Sequence, residues 1–277
     1  MNEEINAVVQ MELPQRANVM VRKFNDKTIV IYDDHRWILN VLFYLKEKNY
    51  WGEKTPNIIY FDKHDDAAQP SKSMLKRVKR HLTGKISQRD FYSMVEFDMS
   101  YGDDDWVTTG MEFEFIKDVV CIGSKMNSNI TNWNSNIYKT KLRKEHKGFC
   151  ISHLISEIGY QGIIGDTERY NQDIRDIFGY KDGALIPDNP YVLDFDLDCF
   201  TTECRDYTYA WPEQIFWKEY VNHRDTKIFV DNVISNASII TICREPDCCG
   251  GIGESNKILS YLDGYFFNWA LGTRPIE

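Results

Sequence analysis

The amino-acid sequence predicts an α/β protein of three layers, α/β/α, with a mostly parallel central sheet. Short β-rich apolar runs alternate with longer segments of helical periodicity along the chain. Two of the runs, 58–61 and 191–193, are apolar at consecutive positions, as expected of parallel strands covered by helices on both faces. No repeat, low-complexity segment or Pro/Ser linker divides the 277 residues, so we expect a single domain over residues 1–277.

The elements follow one another in a regular order. The strand signals lie at 17–22, 28–32, 57–61, 118–123, 191–195 and 238–243. Helical periodicity is found at 36–48, 72–82, 87–97, 151–158, 211–222 and 255–270. The segment 124–146 is rich in Asn and Lys, which predicts a long loop or hairpin insertion, and loops of this length tend to be functional or mobile.

Composition excludes several classes of function. The chain is 43% hydrophobic and carries 42 acidic against 33 basic residues, a net charge of -9. It lacks the basic stripe that contacts to phosphates require, so we expect no nucleic-acid partner. No apolar stretch approaches the roughly 20 residues of a membrane span, and the N-terminus has no apolar signal region, which predicts a cytoplasmic protein without a membrane partner. The seven cysteines form no CxxC pairs and are expected to be reduced thiols.

Charged residues that can bind metals follow three of the predicted strands. Two aspartates and His35 follow the strand at 28–32, the segment 62–66 follows the next, and the segment 194–198 continues the strand at 191–195. Ligands of parallel α/β sheets bind beyond the carboxyl ends of the strands. These three strand ends are therefore the first candidates for a functional site.

The spacing in two of these segments points side chains in one direction. Because side chains alternate along an extended strand, Asp62, His64 and Asp66 share a face, as do Asp196 and Asp198. Carboxylates do not gather in an apolar pocket unless cations are bound there. The pattern predicts two divalent ions that share carboxylates, with manganese favoured by the oxygen and nitrogen ligands and cobalt, nickel, iron or zinc as alternatives. A solvated acidic loop or helix cap is the competing interpretation.

The three motifs resemble, in the same order, those of the arginase/deacetylase superfamily of ureohydrolases. The chain is most similar to the arginase-like branch with the peptide arginases, which convert arginine side chains of ribosomally made peptides to ornithine. By order of elements the resemblance covers roughly residues 17–275, although only the motifs are specific. It implies six ligands for two manganese ions: Asp62 and Asp196 as bridges, His35 and Asp66 on one ion, and His64 and Asp198 on the other.

The resemblance also implies catalytic residues. Deacetylases of this fold use one zinc ion and lack the first histidine, so His35 together with Asp66 and Asp198 favours the binuclear branch. Two ions lower the pKa of a shared water that attacks a guanidinium carbon. Glu245 corresponds to the glutamate that binds the guanidinium, although an ordinary loop glutamate paired with Arg244 is the alternative. His81, fifteen residues beyond Asp66, is the candidate proton shuttle, or else an exposed helix end.

Departures from the family pattern bear on the substrate. Tyr32 and Asp33 stand where arginases have two glycines, and 200–202 replaces their Asp-Pro. The segment 124–128 lacks the acidic residues that grip the α-amino group of free arginine, which favours an arginine-containing peptide over a small guanidino substrate. Other ureohydrolase, formimidoyl or amide hydrolysis, and a non-catalytic metal-stabilised binding protein, remain as alternatives. The sequence leaves a homo-oligomer open.

Overall fold

A computed structural model of the protein describes residues 18–84, 86–100, 104–123, 133, 136–151, 172–181 and 184–273. Eight of its strands form a central sheet: β1 (Met20–Phe24), β2 (Lys27–Tyr32), β3 (Asn57–Phe61), β4 (Val119–Ile122), β5 (Ile137–Lys139), β6 (Glu145–Ile151), β9 (Tyr191–Asp196) and β12 (Ile239–Cys243). Four more form two hairpins: β7 (Tyr180–Lys181) with β8 (Ala184–Leu185), and β10 (Thr201–Cys204) with β11 (Tyr207–Ala210).

The sheet is parallel except at its two edges. Its order is β1-β2-β12-β9-β3-β4-β6-β5, in which β1 and β5 pair antiparallel to their neighbours and the six inner strands run in one direction. At the carboxyl ends, Cys243 of β12 lies beside Tyr32 of β2 and Asp196 of β9. Phe61, the last residue of β3, pairs with Phe195 of β9. The register therefore brings the ends of β2, β12, β9 and β3 to one edge of the sheet.

Helices occupy both sides of the sheet. In chain order they are α1 (Ile38–Glu47), α2 (Lys72–Thr83), α3 (Gln88–Asp98), α4 (Trp106–Glu112), α5 (Gln172–Phe178), α6 (Glu213–Trp217), α7 (Arg224–Asn236), α8 (Pro246–Cys249) and α9 (Ile252–Phe266). The 3-10 turn His35–Trp37 directly precedes α1, and the 3-10 turn Leu197–Phe200 connects β9 to β10. A π turn, Lys218–Asn222, continues α6. No helix in the described part of the chain is long and apolar enough to cross a membrane.

Two hydrophobic cores show the three-layer arrangement. Ile29 and Ile31 of β2 belong to the core that also contains residues of α5, α7 and α9. Val30 and Tyr32 belong to the other core, with residues of α1 to α4. Because successive strand residues point to opposite faces, this division places helices on both faces of one sheet. The predicted fold class, α/β with a mostly parallel central sheet, is confirmed.

Some predicted boundaries need correction. In the segment 124–146, predicted as a long loop or a hairpin insertion, the described part is a hairpin, because β5 pairs antiparallel with the first residues of β6. Glu145, Lys147 and Gly148 interrupt the apolar pattern of β6, which hid a strand next to the sheet edge. The predicted helices do not include α4, α5 and α8, which have at most seven residues each, or α7, although Phe229, Val230, Val233 and Ile234 form one buried face of α7. The predicted helix 151–158 falls, after its first residue, outside the described residues, as do 124–132 and 134–135.

Candidate metal centre

Four strand ends supply the candidate site. Asp62 follows β3 directly and Asp196 is the last residue of β9, its central neighbour. His35 begins the 3-10 turn after β2, and Glu245 comes two residues after β12. All lie at the carboxyl edge of the parallel strands, where ligands of α/β sheets bind.

A first group of side chains surrounds the Nδ1 atom of His35. That atom lies 2.9 Å from Oδ2 of Asp196, 3.0 Å from Oδ2 of Asp66 and 3.5 Å from Oδ2 of Asp62. All four side chains are buried. His35 Nδ1 and Asp62 Oδ2 are buried without a hydrogen-bond partner among the described residues. Unpartnered buried polar atoms are costly, so the atoms of this cluster fit the donor set of a cation site.

A second group adjoins the first and shares Asp62 with it. The Nδ1 atom of His64 lies 3.1 Å from Oδ2 of Asp198 and 3.8 Å from Oδ1 of Asp62. The His64 side chain is 59% exposed, whereas Asp198 is buried. One oxygen of Asp62 thus faces His35 and the other faces His64. Within each group, one ligand atom from each of three residues lies within 4.8 Å of the others: His35, Asp62 and Asp196 in the first, and Asp62, His64 and Asp198 in the second.

A third group brings in a residue that the sequence patterns did not single out. Donor atoms of Asp196, Cys243 and Glu245 lie within 4.8 Å of one another. Cys243 is fully buried at the last position of β12, directly beside Asp196 in the register. Its position at a strand end was the available signal, but a lone cysteine in an apolar run is ordinarily a core residue.

Burial and mutual repulsion shift the pKa values of the acidic groups at the site. Burial, followed by repulsion from neighbouring carboxylates, raises the pKa of Asp62 well above its usual range. Burial and Asp198 raise the pKa of Asp196 to about 7. Burial lowers the pKa of His35, but the carboxylates of Asp194 and Asp196 outweigh it and raise that pKa well above its ordinary value. Divalent cations would remove this mutual repulsion.

The donor set fits divalent ions. Around His35 and His64 it contains carboxylate oxygens and imidazole nitrogens, which suit manganese and also cobalt, nickel, iron and zinc. The two groups overlap, because they share the Asp62 carboxylate. The unpartnered Nδ1 atom of His35 and Oδ2 atom of Asp62 also support a cation site, because both atoms are available to coordinate an ion.

The backbone at two site residues adopts an uncommon conformation. Asp66 has a φ of 45° and Glu245 a φ of 34°, both in the left-handed region that glycine and asparagine favour. The Asp66 side chain is held by Trp106, whose Nε1 donates a 2.7 Å hydrogen bond to Oδ2 and whose ring lies 4.8 Å from the His35 ring. Left-handed conformations of such residues cost free energy and cluster at functional sites.

Glu245 lies at the rim of the site, and the neighbouring Arg244 pairs with another carboxylate. The Nε atom of Arg244 instead donates a 2.6 Å hydrogen bond to Asp33. Burial, followed by the charge of Asp196, raises the pKa of Glu245 well above its ordinary value. Glu245 does lie in the loop between β12 and α8, but the ion pair of Arg244 is with Asp33 and not with Glu245.

The structure does not bring His81 to these carboxylates. Its ring packs against the rings of Phe43, Phe113 and Phe115, at centroid distances of 6.4, 5.2 and 6.4 Å. Its spacing from Asp66 suggested a proton shuttle, but the intervening helix α2 carries the side chain into an aromatic cluster. We therefore assign His81 no role in the site. The segment 124–128, from which the substrate preference was inferred, lies outside the described residues.

Comparisons with known proteins add a likeness to a solved structure. No protein-family model matches the chain, and no curated protein is similar to it. Among solved structures, the chain is similar to the arginase of Helicobacter pylori, with 12% identity, a TM-score of 0.36, and coverage of 83% of this chain and 70% of that one. A likeness of this size does not bear on activity, which has to be inferred from the residues of the site.

Proposed function

We propose that this protein is a hydrolase with two divalent metal ions, most suitably manganese, that releases urea from a guanidinium group. The observation that carries the proposal is the position of Asp62. Its two carboxylate oxygens face different histidines, at 3.5 Å from His35 Nδ1 and 3.8 Å from His64 Nδ1. A buried carboxylate in this position would hold both cations.

The two groups assign ligands to each ion. His35 and Asp66 would hold one ion, His64 and Asp198 the other, and Asp62 and Asp196 would be shared. When bound, the ions supply Lewis acidity, which lowers the pKa of water enough for attack near neutral pH. The protein's part is to keep these ligands buried and oriented, so that charge developing on the substrate meets fixed groups instead of mobile solvent.

Glu245 is the residue that we propose to bind the substrate. A carboxylate accepts paired hydrogen bonds from the planar guanidinium group, which orients the carbon for attack. Glu245 lies within reach of the first group, since its carboxylate is within 4.8 Å of a ligand atom of Asp196. Attack by water then breaks one carbon–nitrogen bond, and urea and a protonated amine leave.

We further propose that the arginine belongs to a peptide or protein and becomes ornithine. The sequence supports this, because 124–128 offers no carboxylate for a free α-amino group. A small guanidino compound such as agmatine is the alternative within the same reaction. Formimidoyl or amide hydrolysis at the same centre, and a non-catalytic protein that the metal only stabilises, are the alternatives outside it.

A urea-release assay tests the proposal. The protein is loaded with manganese and given arginyl peptides, free arginine or agmatine, and a Glu245→Gln variant is assayed beside it. We expect urea from the peptides and a loss of at least about 100-fold in the variant, because it removes the charge that pairs with the guanidinium. Urea from free arginine alone would contradict the peptide preference. Urea from none of the substrates, in a protein that binds two ions, would contradict guanidinium hydrolysis and leave the amide or non-catalytic alternatives.

A further inference from the structure

A buried carboxylate that is not among the proposed ligands contacts the far side of His35. Asp194 lies on β9, two residues before Asp196, and is fully buried. Its Oδ2 atom is 2.9 Å from the Nε2 atom of His35. The Nδ1 atom of the same ring faces Asp66 and Asp196. Asp194 and the proposed ligands therefore lie on opposite sides of one imidazole.

Two hydroxyl groups hold the other oxygen of Asp194. The Oδ1 atom accepts hydrogen bonds from the Tyr32 hydroxyl at 3.1 Å and from the Thr241 hydroxyl at 2.5 Å. The three residues come from adjacent strands of the sheet, since β12 lies between β2 and β9. All three are fully buried. A carboxylate fixed by donors from two neighbouring strands cannot rotate away from His35.

The protonation of a histidine ring decides which nitrogen can bind a metal. A neutral imidazole donates a hydrogen bond from one nitrogen and offers a lone pair on the other. Because two hydroxyl donors occupy Oδ1 of Asp194, its Oδ2 atom accepts the hydrogen bond from Nε2, which places the proton of a metal-binding, neutral His35 ring on Nε2. The lone pair is then on Nδ1, the atom that has no hydrogen-bond partner among the described residues.

We propose that Asp194 is a positioning residue that keeps the His35 proton on Nε2 and presents Nδ1 to the first metal ion. Partners of this kind orient a ligating imidazole and raise its basicity. The inference rests on the proposed metal centre, but not on any substrate. Tyr32 and Thr241 complete the arrangement by holding the carboxylate in place.

The test measures metal binding, and not activity. Manganese is titrated calorimetrically into wild-type protein, Asp194→Asn, and Asp263→Asn as a matched control. Asp263 is also a fully buried aspartate, but it accepts hydrogen bonds from Leu271 and Thr273 near the end of the described chain. We expect Asp194→Asn to weaken one of the two binding events by about 10- to 100-fold and to leave the other unchanged. We expect both events to be unchanged in Asp263→Asn.

A spectroscopic readout separates positioning from a loss of stability. In protein loaded with the diamagnetic ion Zn²⁺, nitrogen NMR of labelled histidine identifies the His35 ring by its absence in His35→Gln. We expect a metal-bound Nδ1 and a protonated Nε2. A Tyr32→Phe variant removes one of the two hydroxyl donors conservatively, so that it keeps the fold if Asp194→Asn does not, and we expect a smaller loss at the same binding event.

Three outcomes would overturn the inference. They are unchanged manganese binding in Asp194→Asn, equal weakening of both binding events, and a metal-bound Nε2 in the wild type. Wild-type protein that binds no ions would contradict the proposed metal centre and this inference with it. Failure of the urea assay with two ions bound would contradict the proposed reaction alone and leave the role of Asp194 standing.

Discussion

Asp105 shows how a single buried carboxylate can make stability depend on pH. The residue is 2% exposed, precedes α4, and accepts a hydrogen bond from the backbone N–H of Ser100. Burial, partly offset by that hydrogen bond, raises its pKa to about 6. The unfolded chain has a pKa of about 3.9 at this position, so the folded state holds more protons between about pH 4 and 6. Stability from this group is therefore lost as pH rises through that window.

Replacing Asp105 with asparagine removes this dependence. Asp105→Asn keeps an oxygen that accepts from Ser100 but carries no charge to desolvate. At pH 7 we expect the variant to be about 1–2 kcal/mol more stable than the wild type, with the difference shrinking at pH 5. Urea unfolding of the two proteins in EDTA at both pH values measures it. A difference that does not change with pH would contradict the assignment.

The β10–β11 hairpin depends on a close approach at the element that follows the site. It packs against the turn after α8, where Gly250 has a φ of 89°. A Cβ atom on Gly250 would lie 2.0 Å from the carbonyl oxygen of Thr208, a backbone atom of the hairpin. The backbone N–H of Ala210 also donates a 2.8 Å hydrogen bond to Glu254 of α9. The hairpin is thus attached to the segment that carries Glu245.

A methyl group at Gly250 is therefore expected to destabilise the protein. Gly250→Ala adds both a left-handed alanine and a backbone clash, which together should lower the free energy of unfolding by about 2 kcal/mol or more. Gly253→Ala is the matched control, because nothing lies within 4 Å of its added Cβ and α9 favours alanine over glycine by up to about 1 kcal/mol. Thermal unfolding of the two variants decides the matter. Similar unfolding temperatures for Gly250→Ala and Gly253→Ala would contradict the close approach of the hairpin to Gly250.

Across the whole molecule, the proposed ions compensate charges that the folded chain buries. Manganese at about 100 times its dissociation constant should add about 2.7 kcal/mol to the stability, since the ligands converge only in the folded state. Asp62→Asn should abolish this gain and, without metal, should raise stability because it removes repulsion. Asp65→Asn is the neighbouring control, whose side chain accepts from the N–H of Ala67 and belongs to neither ligand group. Unfolding scans with manganese or EDTA measure the stability of all three proteins. If manganese stabilised Asp62→Asn as much as the wild type, the proposal that Asp62 binds both ions would be contradicted.

Local patterns were sufficient wherever one element carries its own signal. The strand predicted at 57–61 coincides with β3, and the helix predicted at 72–82 differs from α2 by one residue. Such segments are either apolar throughout or strongly amphipathic, so they are recognised without their neighbours. β6 was missed because Glu145, Lys147 and Gly148 interrupt its apolar pattern. α7 was missed although its buried residues lie on one helical face.

The sequence by itself determined the fold class and the presence of carboxylates and histidines at successive strand ends, because an apolar strand and the residues that follow it are recognised locally. Alternation along an extended strand does not explain how these side chains converge, because Asp62, His64 and Asp66 follow β3 and Asp198 lies in a 3-10 turn. Only the tertiary structure decided which atoms face one another. It placed Asp194 behind His35, put Cys243 beside Asp196, paired Arg244 with Asp33, and carried His81 into an aromatic cluster. These contacts depend on strand order and register between segments far apart in the chain, and spacing along the sequence does not specify either.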